Sequence, residues 1–330
     1  MSSRSPPARS PDPERSDVKI QTTCPPSDEL PSERGARVGR EIARLRRIRL
    51  ADPRQHACIE AMERLRVSCL DRAPGEATVA LSIIQPSGSD KTETAKQMKA
   101  FVEGQPGRDP EKIPVLHVTL DTTGTPRSMI VSCLEAAGDP FAMAGTEAIL
   151  LKRLHKALAH LGVELLIVDE LNHCSEKFLG RDVSNTLKNM LTAGWAPIVF
   201  MGTEKAARLF RENRELRNRS RPQLSLTPLE PRGADLALWC AFLAGMDEQI
   251  VAERILPSHS NLAAPDLAKA LCVASSGLIG EFRLVLEDAV TAVLERNGRR
   301  IDLEDLHRAV ETRYVLDGDL AANPLDGLLA

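Results

Sequence analysis

Aromatic residues are scarce in this chain, at 3% (two Trp, one Tyr and seven Phe), which leaves any core to aliphatic side chains. No C-x-x-C pair occurs. The seven cysteines stand singly at 24, 58, 69, 133, 174, 240 and 272, which excludes a zinc module or a disulfide framework and points to a reducing compartment, so a cytoplasmic protein is expected. No apolar run approaches the roughly 18 residues that a membrane span needs. The N-terminus is polar and rich in Pro and Ser where a signal peptide would carry an apolar segment, so no membrane partner is expected.

What is present is ordinary in amount and uneven in placement. With 330 residues, 42% apolar and 27% charged, the chain is long enough for one large or two modest domains with a real core. Its formal net charge of -3 hides two basic stretches. From Arg34 to Leu50, seven arginines face the single acid Glu41; from Thr203 to Arg221, seven basic residues face three acids. Such clusters suit a polyanion partner, although they also suit a solvated helix face.

The chain is organised around SIIQPSGSDKT, residues 82–92. An apolar run ending in a Gly-containing turn and Lys-Thr is how a phosphate-binding loop begins. The pattern G-x-x-x-x-G-K-[ST] places glycine at both ends, so that backbone N–H groups can curl around phosphate oxygens. Gln85 and Asp90 occupy those two places here. Pro86, Ser87, Gly88 and Ser89 complete the turn, Lys91 would reach the terminal phosphates, and Thr92 would hold Mg²⁺. A helix from about Glu93 to Glu103 presents its N-terminus to the anion. Asp90 adds a Cβ and a negative charge where phosphates approach, so weakened ATP binding is expected. On that account Asp90→Gly tightens binding about tenfold, roughly 1.4 kcal/mol.

Residues 1–33 carry seven prolines and no apolar period, which predicts a disordered tail. Val38, Ile42, Leu45 and Ile48 recur at helical spacing and open a helical lead-in. Strands are expected at 77–84, 114–120, 164–169 and 197–201, with a short fifth at 224–226. Between them lie punctuated helices, one starting at Thr125-Pro126 and ending at Gly138, another running from Gly145 to Gly162. This alternation implies an α/β fold with a mainly parallel sheet covered on both faces. After Pro228 only helical patterns remain. The expected division is therefore a core over 34–227, a small all-α subdomain over 228–315 and a loose tail over 316–330.

The strand ELLIVD ends on two acids, Asp169 and Glu170. Asp169 is placed to hold Mg²⁺ and Glu170 to orient an attacking water for hydrolysis of a γ-phosphate. Taken in order, SGSDKT, LLIVDELNH, PIVFMGT and ELRNRSRPQLSL resemble the TniB/TnsC type of AAA+ ATPase that assists transposition, from about Arg40 to Tyr314. That resemblance implies an AAA+ P-loop core with five strands and an α-helical lid. It further implies a γ-phosphate sensor at Thr203, an arginine finger in trans at Arg219 (with Arg217 and Arg221 flanking it), and a sensor-2 position near Glu281 or Arg283. His173 matches a common family position and equally suits a polar contact near the sheet edge. Cys174 beside it lacks the oriented third group that a nucleophile needs. The implied function is ATP-dependent regulation of transposition: a ring or filament of identical subunits on double-stranded DNA that recruits a transposase, with ATP and Mg²⁺ as cofactors. The alternatives are a non-hydrolysing scaffold with an altered loop and an AAA+ switch in secretion or defence.

Overall fold

The computed structural model describes residues 31–50, 52–73, 75–175 and 180–329. The tail expected over 1–33 lies outside these residues up to position 30, and α1 (Pro31–Leu45) begins directly after it. Asp52 caps α2 (Pro53–Val67), accepting from the N–H groups of Arg54 and Gln55. Four strands follow the loss of helical period: β1 (Ala80–Ile84), β2 (Val115–Thr119), β3 (Leu165–Asp169) and β4 (Ile198–Gly202). They pair in parallel in the order β1-β4-β3-β2.

Successive side chains of a strand point to opposite faces, and the two sets build two cores. Leu81, Ile83, Leu165, Ile167, Val199 and Met201 pack with α2 and α3 (Lys91–Glu103). Ala80, Ile84, Leu166, Val168, Ile198 and Phe200 pack on the other face. Covering that face are α4 (Pro126–Ala136), α5 (Glu147–Leu161), α6 (Gly180–Thr192), α7 (Ala207–Glu212) and α8 (Arg214–Arg219). Thr125 closes a capping box with Ser128 at the start of α4, as its Thr-Pro start signals.

The expected fifth strand over 224–226 is not a strand. An extended segment runs along the free edge of β1, with Arg221 N–H on Ala80 O at 2.8 Å and Leu224 N–H on Ser82 O at 2.8 Å. The two donors are three residues apart while their acceptors are two apart, so the register slips by one residue and the ladder reduces to an isolated bridge of Ser220 with Ala80.

Helices α9 (Gly233–Ala252), α10 (Pro265–Ala274), α11 (Ile279–Glu295) and α12 (Leu303–Val310) form a separate layer. Its centre uses three of the few aromatics, with Trp239 edge-on to Phe282 at 5.4 Å and Phe242 beside both. The first part of the lead-in joins this layer rather than the sheet: Val38, Ile42, Leu45 and Ile48 share its core, while α2 stays on the sheet. The segment after 316, expected to be loose, is docked there too. Leu325 is fully buried in the core of this layer, and Asn323 donates to His307 O of α12 at 3.0 Å.

Candidate functional site

Register decides where the chemistry collects. Ile84 pairs with Gly202 and Thr119 with Asp169, so the residues that follow β1, β3 and β4 emerge at one edge of the sheet. Ligands of open parallel sheets bind at the carboxyl ends of the strands. A cavity of about 290 Å³ lies there, lined by the loop from Ser87 to Thr92 together with Glu170 and Thr203.

Gln85 needs no glycine because it extends the β1–β4 ladder, its N–H bonded to Gly202 O at 3.0 Å. Gly88 takes φ +76°, which a residue with a side chain rarely adopts. Lys91 is buried and curls back, its Nζ donating to the carbonyls of Gln85 (2.9 Å) and Pro86 (2.6 Å). Desolvation pulls its pKa down, against the nearby carboxylates of Asp169, Glu170, Glu204 and Asp90. The first N–H groups of α3 have no carbonyl within the helix to bond. That of Thr94, on Asp90 O at 2.9 Å, is the first to find one. An ammonium and a set of helix-start amides around one hollow suit a polyphosphate.

Asp90 departs from its expected placement. It sits in the left-handed region at φ 58°, as the replaced glycine would, and its carboxylate turns away from the loop toward α11. Oδ2 stands 3.5 Å from Arg283 Nε, and neither atom has a hydrogen bond. Burial pushes the Asp90 carboxyl up to about 6, with the Arg283 charge opposing. Arg283 also donates to Ile48 O at 3.2 Å and lies over the Phe242 ring at 5.7 Å, so its contacts join the lead-in, the loop and the helical layer. Gly280 seals the same seam. Its N–H donates to Gly88 O at 2.9 Å, and a Cβ there would meet that oxygen at 2.7 Å. Glu281 lies over Gly88 and accepts from Tyr314 Oη at 3.0 Å.

At the end of β3, Thr92 Oγ1 donates to Asp169 Oδ2 at 2.7 Å. Burial opposes ionisation of Asp169, but donation from His117, Thr92 and the Glu170 N–H outweighs it and holds the carboxyl below its ordinary range. A hydroxyl and a carboxylate touching at the mouth of a phosphate-sized hollow are the hard oxygen donors that Mg²⁺ takes, with water and phosphate filling its other positions. Thr92 and Asp169 would hold that ion. Among the described residues no group of three or more His, Cys, Asp and Glu could hold a metal by itself.

Glu170 has φ 58°, uncommon for a residue with a side chain and the kind of outlier that collects at functional sites. Its Oε2 accepts from Asn172 Nδ2 at 3.1 Å, while His173 Nε2 is 3.7 Å away. Burial pushes the Cys174 thiol up to about 12, which removes it as a nucleophile. Sequence reasoning passed over His117 and Asn172. His117 left a signal, a histidine inside the apolar strand PVLHVTL; Asn172 left none.

Arg219 is not brought to this cavity. It ends α8, and its neighbour Ser220 bridges Ala80, at the end of β1 remote from the loop. Five strand residues separate the two ends, about 16 Å at the usual rise. The basic stretches also part company. In the first, Arg46 pairs with Glu287 and Arg49 with Glu93, while Arg37 donates to Leu294 O. In the second, Lys205, Arg211, Arg214, Arg217 and Arg221 are exposed, with no ion pair among the described residues.

A parallel sheet in this order, a loop-to-helix phosphate cradle on β1 and a helical layer closing on the loop define the AAA+ class of P-loop fold. Solved structures that resemble the chain include the Aeropyrum pernix ORC2 protein in ADPNP-ADP complexes, at 13% identity and TM-score 0.60, covering 82% of this chain and 71% of that one. The Aeropyrum pernix ORC1 protein in complex with DNA has 16% identity and TM-score 0.56, covering 81% and 67%. Cdc6p from Pyrobaculum aerophilum has 14% identity and TM-score 0.55, covering 78% and 67%. The chain belongs to the TniB family: residues 42–226 match the family described as bacterial TniB protein. No curated protein matches it.

Proposed function

We propose that this TniB-family chain is an ATP-dependent regulator of DNA transposition. In this reading it binds ATP and Mg²⁺ in the loop cavity, assembles as a homo-oligomer on double-stranded DNA and recruits a transposase. The observation that carries it is the convergence of Lys91, Thr92, Asp169, Glu170 and Thr203 at one sheet edge. Lys91 leaves its loop carbonyls for the phosphates and Thr92 and Asp169 hold the metal. Glu170 orients the attacking water, and the phosphates meet the α3 amides. Arg219, remote from its own cavity, serves the nucleotide of a neighbouring copy. The exposed basic residues from Lys205 to Arg221 contact DNA phosphates, which makes binding sequence-tolerant and salt-sensitive. The similar ORC1 protein was solved in complex with DNA, which supports this last step by analogy.

The test uses the full chain with Glu170→Gln, which should retain ATP and slow hydrolysis by at least about a hundredfold. Trapped with ATP, it should bind duplex DNA. Replacing Lys205, Arg211, Arg214 and Arg217 by Gln should lower the slope of log affinity against log salt by about one per lost contact. No ATP binding at millimolar concentration would leave a nucleotide-free scaffold; ATP binding without DNA binding would leave a switch of another kind.

A further inference from the structure

Glu170 does not stand alone at the end of β3. The side chain of Asn172 lies between it and the end of β4 and is bonded to both. Its Nδ2 donates to Glu170 Oε2 at 3.1 Å, and its Oδ1 accepts from the Thr203 N–H at 3.2 Å. The two bonds determine each other: with the carbonyl oxygen held by a backbone donor, the amide nitrogen must face the carboxylate. Space is tight on the β4 side. A Cβ on Gly202 would come within 3.2 Å of Asn172 Oδ1 and 2.9 Å of the Ala206 Cβ, so the amide is wedged under the strand end rather than free to swing. Thr203 is fixed in turn, its carbonyl accepting from the Ala206 N–H at 2.8 Å. His173, at 3.7 Å from the same Glu170 oxygen, is beyond hydrogen-bond range. Glu170 itself is held at φ 58°, so its carboxylate is aimed by an unusual backbone and by this amide.

We infer that Asn172 is a positioning residue that ties the aim of the Glu170 carboxylate to the place of Thr203, so that a shift at the end of β4 is passed to the group facing the attacking water. This rests on the reading of Glu170 given above. A bond from an amide to a carboxylate is charge-assisted and therefore worth more than a neutral one. Because the catalytic geometry must be held to a fraction of an ångström, loss of the aim acts on turnover rather than on nucleotide binding.

The test is a double-mutant cycle on the full chain, with single-turnover hydrolysis, ATP affinity and melting temperature as readouts. Asn172→Asp is nearly isosteric and keeps an acceptor for the Thr203 N–H, but has no donor for Glu170; Asn172→Ala removes both bonds. Each should lower the hydrolytic rate about tenfold or more while ATP affinity stays within about twofold. In a Glu170→Gln background, either change should alter the residual rate less than about twofold, because the group being aimed is already gone. A merely structural Asn172 would instead lower affinity and melting temperature together and act equally in both backgrounds, and that outcome overturns the inference. So does an Asn172→Asp protein with unchanged turnover. Should Glu170→Gln alone leave hydrolysis intact, the reading of Glu170 fails first and the inference with it; should Glu170→Gln abolish it while the Asn172 changes stay additive, only the inference fails.

Discussion

Two aspartates, Asp90 and Asp169, flank the same loop, the first partly and the second fully buried, and their surroundings push them in opposite directions. Asp169 accepts from Thr92, His117 and the Glu170 N–H, and is held ionised. Asp90 faces a single guanidinium at 3.5 Å, makes no hydrogen bond through Oδ2, and is pushed up to about 6. Burial penalises both charges alike, and the number of aligned donors decides which way each acid goes. A carboxylate held ionised by three donors fits the proposed cation-holding role, whereas one with a distant partner joins the loop to the helical layer.

The largest effect should separate the two by metal. Asp169→Asn should weaken Mg²⁺-dependent ATP binding by about a hundredfold, roughly 2.7 kcal/mol, and leave binding without Mg²⁺ nearly unchanged. Calorimetric titrations with and without Mg²⁺ measure this, and an equal loss from Asp90→Asn would erase the distinction.

Next comes pH. The folded pKa of Asp90 is raised above its ordinary value, so its contribution to stability is fully present in acid and is lost as pH rises from about 4 through about 6. Over two pKa units this amounts to ~3 kcal/mol. Asp90→Asn should therefore gain on the wild type in urea unfolding as pH goes from 5 to 7.5, and parallel curves would refute it. Asp169 has the opposite sign: its folded pKa is lowered, so its contribution is present above the ordinary carboxylate range and is lost as pH falls.

The smallest effect should be that of Asp90→Gly on ATP affinity. From the sequence the carboxylate opposes the phosphates and its removal tightens binding about tenfold. With the carboxylate turned to Arg283, the change should stay within about threefold. Fluorescence titration of both proteins decides it, and a tenfold gain would restore the sequence-based account.

The strand-loop-helix order, the two acids closing LLIVDE and the Gly-Thr after PIVFMG were legible because each is local. Apolar runs form strands, and the residues just past their ends must gather at one edge once the strands are parallel. Thr125 capping α4 and Gly162 closing α5 at φ +64° were legible for the same reason. The fifth strand misled because its apolar pattern is real, but the segment slips by one residue against β1 and no continuous ladder forms. Nothing local could show that Arg46 is engaged by Glu287, 241 residues away, while Arg211 and Arg214 have no ion pair among the described residues. Seven basic residues in each stretch hide different partners.

The groups lining the candidate site were legible in the covalent order, because a lysine, a threonine and two acids at these spacings follow strand ends that gather at one edge. Only the tertiary structure decided how the groups act on one another. The direction of the Asp90 carboxylate, the Thr92 and His117 donors on Asp169 and the amide bridging Glu170 to Thr203 depend on α11, α3, β2 and β4 arriving from distant parts of the chain. A pKa or a side-chain aim is set by what comes within a few ångströms, and that is a property of packing.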